Sequence, residues 1–61
     1  MNTEETIHFM VDSINESNRF LCEQAGMDKE HVDQQIEQSR QSMYLIVSEL
    51  YAKMKDANLL A

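Results

Sequence analysis

The chain contains one glycine and no proline, so only one point along its 61 residues strongly favours a break in a helix. Gly26 can adopt the left-handed backbone conformation that ends a helix. Asp28 is a suitable N-cap for a following helix, and Met27 and Val32 have the spacing of a hydrophobic staple. Because the connection is so short, two helices joined by it should lie antiparallel and adjacent.

The sequence therefore predicts an all-α fold, in which residues 1–61 form a single helical-hairpin domain. We expect one helix over about 4–25, a turn at 26–28 and a second helix over about 29–58. Thr3 is the expected N-cap of the first helix.

One side of the first helix is apolar at helical spacing. Its apolar residues are Ile7, Met10, Val11, Ile14, Leu21, Cys22 and Ala25. Phe9 and Phe20 lie eleven residues apart and line up on the opposite side. Two interpretations are open for these two phenylalanines: scattered exposed apolar residues, or a second contact surface used by a dimer or a partner.

The second helix contains the densest apolar run of the chain, Met43 to Ala52. Its main stripe, with steps of four and three, is Val32, Ile36, Ser39, Met43, Ile46, Leu50 and Ala57. Folding the hairpin pairs residue i with roughly residue 53 − i, so Met43, Ile46 and Leu50 are expected to face the first helix. A second apolar sector then has no partner within its own chain. It comprises Tyr44, Leu45, Tyr51 and Ala52.

A chain of this length is marginally stable by itself. Its single cysteine, Cys22, excludes an intramolecular disulfide, and no Cys/His cluster has the spacing of a zinc site. Oligomerisation is the remaining means of stabilisation, so we expect a homodimer, an antiparallel four-helix arrangement with its two-fold axis near residues 43–52. The predicted dimer interface is Phe9, Phe20, Tyr44, Leu45, Tyr51 and Ala52.

The net charge of −6 is concentrated in the first part of the chain, because residues 1–37 sum to −7 and residues 38–61 to +1. Clustered lysine and arginine, which binding to a phosphate backbone requires, are absent, so direct nucleic-acid binding is disfavoured. The acidic residues form either a solvated surface or a surface for a basic partner. The candidate partner surface is Asp12, Glu16, Glu23, Glu30, Asp33 and Glu37.

No motif in the sequence indicates catalysis. His8 and Asp12 have helical spacing for a metal but lack a third ligand, and no nucleophile, phosphate loop or metal box is present. We therefore predict no enzymatic activity, no catalytic residues, no metal and no cofactor. No apolar run reaches the length of a membrane span, and the acidic N-terminus does not resemble a signal peptide, so we expect a soluble cytoplasmic protein without membrane contact.

The opening MNTEETIHFMVDSINESNRF, the length and the acidic two-helix plan resemble the small early-region proteins of lambdoid bacteriophages, which are encoded between the recombination exonuclease and the excisionase. The resemblance implies a dispensable regulator in the host cytoplasm that modulates phage development or a host process through contacts with a host or phage protein. It implies no particular site residues.

The leading hypothesis is thus a small acidic non-enzymatic regulator that acts as a homodimer by protein–protein interaction. The alternative is a DNA-associated transcriptional regulator. A third class, a structural assembly element, would form open-ended oligomers rather than a closed dimer.

Overall fold

The connection around Gly26 has the conformation that the sequence predicts. The computed structural model describes residues 1–60, and in it Gly26 has a φ of 75°. The N–H of Gly26 donates to the carbonyl of Glu23 over 3.0 Å, and the N–H of Met27 donates to the carbonyl of Cys22 over 3.0 Å. These two bonds make a Schellman motif, which satisfies carbonyl groups that the end of the first helix would otherwise leave unpaired.

Two helices flank this turn and pack against each other. Helix α1 spans Thr3–Gln24 and helix α2 spans Lys29–Asp56. The predicted helical hairpin is therefore confirmed, with both helices ending one or two residues earlier than expected. Ala61, the last residue of the predicted domain, lies outside the described residues.

The first helix is capped one residue earlier than the sequence suggested. Asn2, rather than Thr3, is the N-cap, because its side-chain oxygen accepts a hydrogen bond of 2.8 Å from the N–H of Glu5. Thr3 is already helical. Asp28 does occupy the N-cap position of α2, although its side chain makes no capping hydrogen bond.

The second helix ends as the first does, with Asn58 in the place of the glycine. Asn58 has a φ of 57°, and its N–H donates to the carbonyl of Lys55 over 3.1 Å. The N–H of Leu59 donates to the carbonyl of Met54 over 2.9 Å, which completes a second Schellman motif. Asparagine tolerates the left-handed conformation better than most residues with a side chain.

The core is a single line of side chains between the two helices. The buried apolar residues are Ile7, Val11, Val32, Ile36 and Val47. Around the cluster of Ile7, Val11 and Val47, partly buried side chains complete the packing. These are Met10, Met43, Tyr44 and Tyr51.

The predicted orientation of the second half of α2 is wrong by about one residue. Ile46 and Leu50, expected to face α1, are 63% and 50% exposed. Tyr44 and Tyr51, expected to find no partner in their own chain, pack on the core cluster instead. Val47 takes the buried place that the sequence analysis gave to Ile46.

The cause is the period of the buried positions. The prediction followed a seven-residue repeat, which drifts by about 20° per heptad around a straight helix. Some buried and half-buried positions of α2 lie seven residues apart, as Ile36 and Met43 or Val47 and Met54 do, and others lie eleven apart, as Val32 and Met43 or Ile36 and Val47 do. Seven residues fall about 20° short of two turns and eleven exceed three turns by about 20°, so the mixture keeps the stripe on one side of a straight helix.

The antiparallel pairing of the helices is close to the predicted register. Three cross-helix contacts, Arg19 with Asp33, Asp12 with Arg40, and His8 with Tyr44, each join residue i to residue 52 − i. The hairpin measures 40 × 20 × 18 Å. Within residues 1–60, neither helix is both long enough and apolar enough to cross a membrane.

Replacement of Gly26 tests the role of the left-handed turn. A side chain at this position would meet no atom within 4 Å, so any cost arises from the backbone conformation alone. We expect Gly26→Ala to lower the free energy of unfolding by about 1–2 kcal/mol. Gly26→Asn should cost less, because asparagine already fills the equivalent position at the end of α2. Urea unfolding followed by circular dichroism measures both, and equal losses would contradict the explanation.

Candidate functional site

The two broad sides of the hairpin differ in chemistry. On one of them, ion pairs join α1 to α2. We call this side the ion-paired face. It comprises Asp12, Glu16 and Arg19 of α1 and Asp33, Glu37 and Arg40 of α2. The Nε of Arg19 donates to Asp33 over 3.1 Å, and the Nη1 of Arg40 donates to Asp12 over 3.4 Å. Each arginine also lies 3.6 Å from the glutamate three residues before it in its own helix.

This arrangement is an internal repeat that the sequence analysis missed. The segment Val11-Asp12 with Glu16 and Arg19 recurs 21 residues later as Val32-Asp33 with Glu37 and Arg40. A rotation that exchanges α1 with α2 turns the Arg19–Asp33 ion pair into the Arg40–Asp12 ion pair. This part of the hairpin therefore has approximate two-fold symmetry. The signal was present in the sequence as V-D-x-x-x-E-x-x-R at a spacing of three heptads, and a self-comparison of the chain would have found it.

The ion pairs change the chemical character of the predicted acidic partner surface. Four of its six carboxylates, those of Asp12, Glu16, Asp33 and Glu37, lie within 3.6 Å of an arginine and are partly neutralised. The other two, Glu23 and Glu30, have no ion pair among residues 1–60. The use of these carboxylates by a partner stays a prediction.

An aromatic contact extends the ion-paired face towards the open end of the hairpin. The rings of His8 and Tyr44 lie 4.8 Å apart, inclined by 40°. They line a shallow hollow of about 330 Å³ together with Glu4 and Arg40. In the described part of the chain, no three His, Cys, Asp or Glu side chains are grouped so as to hold a metal ion.

The opposite side of the hairpin has no ion pairs across it among the described residues, and we call it the open face. Its residues are Ile14, Asn18 and Leu21 of α1 with Ser39, Ser42, Ile46 and Leu50 of α2. Asn18, Leu21, Ser39 and Ser42 line one groove between the helices. Ile14 lies seven residues before Leu21, Ile46 lies four residues after Ser42, and Leu50 lies four residues after Ile46. These spacings place all three on the same side of their helices as the groove residues.

The apolar residues of the open face are substantially exposed. Ile14 and Leu21 belong to the apolar side of α1 described from the sequence, but they are 38% and 62% exposed and are not part of the buried core. They lie at one margin of the stripe, where a single neighbouring helix does not reach. Ile46 and Leu50 hold the equivalent margin of α2. Four aliphatic side chains on one side of a small hairpin thus lack a covering layer.

The groove along the open face has a volume of about 590 Å³ and one unusual polar residue. Asn15 lines it, is only 5% exposed and has a side-chain Nδ2 with no hydrogen-bond partner. Buried amide groups are nearly always hydrogen-bonded, because an unpaired one costs about 1–3 kcal/mol. The half-buried thiol of Cys22 and the side chain of Met27 line the same groove towards the turn.

The predicted dimer interface does not form one surface on a single hairpin. Phe9 and Phe20 are exposed on the outer edge of α1, and Leu45 and Ala52 are exposed on the outer edge of α2. Phe9 lies two residues from both Ile7 and Val11, and Leu45 lies two residues from Val47, so each points away from the core. Tyr44 and Tyr51 are partly buried and pack against the core cluster. Whether any of these residues contacts a second chain stays a prediction.

A comparison with protein-family models, curated proteins and solved structures finds no match to this chain.

Double-mutant cycles test the ion-paired face. Combining Arg19→Ala with Asp33→Ala should give a coupling free energy of up to about 1 kcal/mol, the range for partly exposed pairs. The cycle for Arg40 and Asp12 should give less, because that contact is longer and both of its side chains are more exposed. Both couplings, measured by urea unfolding, should shrink with added sodium chloride. A larger coupling for Arg40 with Asp12 would contradict this ranking.

Proposed function

We propose that this chain is a small non-enzymatic regulator that forms a homodimer through its open face and acts by binding another protein. The single observation that carries the proposal is the asymmetry between the two broad sides of the hairpin. One side is closed by ion pairs, and the other exposes Ile14, Leu21, Ile46 and Leu50 along an open groove. As the resemblance to early-region phage proteins implies, the process would be phage development or a host function in the host cytoplasm.

The energetics favour a second hairpin as the covering layer. Full burial of an aliphatic side chain of this size stabilises by roughly 1.5–3 kcal/mol, so each half-exposed residue of the open face contributes about 1 kcal/mol when covered. A dimer gains this contribution in both copies. The five buried apolar side chains of one hairpin are few for a chain of this length, which makes the additional burial significant for stability.

The dimensions also suit a dimer. A side of 40 by 20 Å has an area of about 800 Å², which is close to what each partner contributes to a standard protein interface. Packing two such sides together gives a four-helix bundle with the ion-paired faces outermost.

A dimer formed in this way leaves Phe9 and Phe20 available to a different protein. The two phenyl groups lie three turns apart on the outer edge of α1, with Glu16 on the same edge between them. An aromatic edge of this kind suits an apolar partner surface, and Glu16, although it is ion-paired with Arg19, is compatible with a partner that also carries positive charge. Direct binding to DNA has less support, because Arg19, Arg40 and Lys53 all lie within 3.6 Å of a carboxylate.

Two adjacent residues of α2 provide a matched test of the dimer. Ile46 and Leu45 are 63% and 60% exposed, but only Ile46 lies on the open face. Ile46→Asp should weaken the dimer about a hundredfold or more, since it places a charge in an apolar interface. Leu45→Asp should leave the dimer intact. Sedimentation velocity at micromolar concentration measures both variants.

The opposite pattern, with Leu45→Asp disrupting and Ile46→Asp neutral, would support the outer-edge interface that the sequence alone predicted. A wild-type chain that is monomeric and fully helical at these concentrations would refute the homodimer.

The partner surface can be tested independently of the dimer. Phe9→Ser combined with Phe20→Ser should preserve the dimer, because neither residue lies on the open face, but abolish capture of specific partners from a bacterial lysate. Leu45→Ser is the control, since Leu45 is as exposed as the phenylalanines but lies on the other helix. A partner lost equally from both variants, or from neither, would not bind through the edge of α1.

A further inference from the structure

The outer edge of α1 carries the same short pattern twice. It reads ETIHFMVD over residues 5–12 and ESNRFLCE over residues 16–23. In both segments an acidic residue begins and ends the pattern, a histidine or an arginine precedes a phenylalanine, and two apolar residues follow it. The segments start eleven residues apart, close to three whole turns of an α-helix, so they face nearly the same direction.

Packing within the hairpin accounts for only part of this repeat. Val11 and Cys22, which hold equivalent positions in the two segments, are buried and half-buried. Phe9 and Phe20, which also hold equivalent positions, are 60% and 59% exposed. The core of the hairpin therefore gives no reason for the two phenylalanines or for the acidic residues beside them.

We propose that the two segments form one docking site for a cationic amphipathic helix of another protein, which lies along the outer edge of α1. This inference rests on the proposed function, in which this edge binds a partner. It adds the secondary structure of the partner, its charge and the spacing of its contacts.

The two phenylalanines provide the apolar contacts of the site. At 1.5 Å per residue, they lie about 16.5 Å apart along α1. Each ring keeps most of its surface in water, and buried aromatic rings are among the largest single contributions to protein interfaces. A partner that covers both rings must present two apolar groups at this distance on one side.

This distance favours a helix over a strand. Along a helix, residues eleven apart face nearly the same direction and are separated by the same 16.5 Å or so. Along a strand, about five residues cover this distance, and residues an odd number apart point to opposite faces. A helix of about twelve residues or more, laid alongside α1, can therefore contact both phenylalanines at once.

The acidic residues of the repeat determine the charge of the partner. Each phenylalanine has one carboxylate four residues before it and another three residues after it, and both lie on the same side of the ring. These carboxylates belong to Glu5, Asp12, Glu16 and Glu23. Asp12 and Glu16 pair with arginines but remain 64% and 76% exposed, and Glu5 and Glu23 have no ion pair among residues 1–60. Lysine or arginine one turn from each apolar contact of the partner would complement this row.

A second copy of this chain complements the edge poorly. The chain has a net charge of −6, and Arg19, Arg40 and Lys53 already lie within 3.6 Å of a carboxylate. Nucleic acids and the surfaces of anionic membranes are also negatively charged. A cationic segment of another protein is therefore the occupant that the charges favour.

Selection from a peptide library tests the chemistry of the partner without assuming its sequence. The library displays helices of about five turns, randomised along one side with apolar, acidic, basic and neutral residues. The wild-type chain is the bait, and the Phe9→Ser, Phe20→Ser double variant removes peptides that bind elsewhere. The enriched helices should carry apolar residues eleven apart, each with lysine or arginine one turn away. Enrichment of neutral or acidic helices, or of none that distinguish the two baits, would overturn the proposal.

The affinity of one enriched peptide, measured by fluorescence anisotropy, separates the apolar from the charged contacts. The Phe9→Ser, Phe20→Ser variant should raise its Kd about thirtyfold or more, because two aromatic contacts are lost. Glu5→Gln combined with Glu23→Gln should raise the Kd about fivefold and make binding less sensitive to sodium chloride.

Glu30→Gln combined with Asp56→Asn is the matched control for charge. Both residues are exposed on α2, and the pair changes the net charge by the same amount as the two glutamine substitutions in α1. This control should leave the Kd nearly unchanged. An equal loss of affinity in the control would indicate general charge attraction rather than a site on α1, and would overturn the proposal. Circular dichroism checks that every variant keeps its helical content.

The outcomes distinguish this inference from the proposed function. Lysate partners that depend on Phe9 and Phe20, together with a selection that enriches neutral or acidic helices, would retain the proposed function and overturn the cationic helix. A monomeric wild-type chain that still selects cationic helices would refute only the homodimer. A Phe9→Ser, Phe20→Ser variant that is monomeric while the wild type dimerises would show that a second copy covers this edge, and would overturn both.

Discussion

A hairpin of two helices has no third layer, and this limit determines most of what the structure shows. Each helix can bury only the stripe that faces its neighbour, so the core is one line of side chains in which Val11 and Val47 are the most deeply buried apolar residues. Every residue at the margin of that stripe is covered on one side only. The properties of the two margins therefore decide whether the chain is complete as a single hairpin or requires another surface.

The residues at the two margins of the core differ in chemistry. On one side, Arg19 and Arg40 bridge the helices, and a polar surface of this kind is compatible with water. On the other side, aliphatic residues continue outward from the core and meet only polar groove residues and solvent. The difference arises from a few positions in each helix rather than from overall composition. In the proposed dimer, the open face would lie inside the bundle and the ion-paired face outside it.

The sequence was sufficient to predict the architecture and insufficient to predict which residues face which way. Gly26 and the absence of proline placed the turn and both helices, because these signals act locally. The rotation of α2 is a non-local property. Ile46 and Val47 are both β-branched and apolar, and a choice between them depends on whether the stripe keeps a strict seven-residue repeat or follows the 3.6-residue period of a straight helix. The burial of Asn15 was equally hidden, since asparagine on a helix is normally exposed. The repeat of Asp12, Glu16 and Arg19 was visible in the sequence and could have predicted the ion-paired face.

The approximate symmetry of the ion-paired face has a consequence for how the chain avoids misassembly. Because α1 and α2 carry the same Val-Asp and Glu-Arg pattern, the ion pairs that join α1 to α2 could equally join two copies of α1 or two copies of α2. Charge therefore cannot exclude intermolecular pairing of like helices, and it cannot exclude domain-swapped forms either, because α1 of one chain would make the same ion pairs with α2 of another. The discrimination must come from the connection, which holds the two helices of one chain at a high effective concentration. An unstrained left-handed residue at Gly26 lets the hairpin close without the tension that favours swapping. Gly26 thus favours pairing of the two helices within one chain over pairing of nearly equivalent helices between chains.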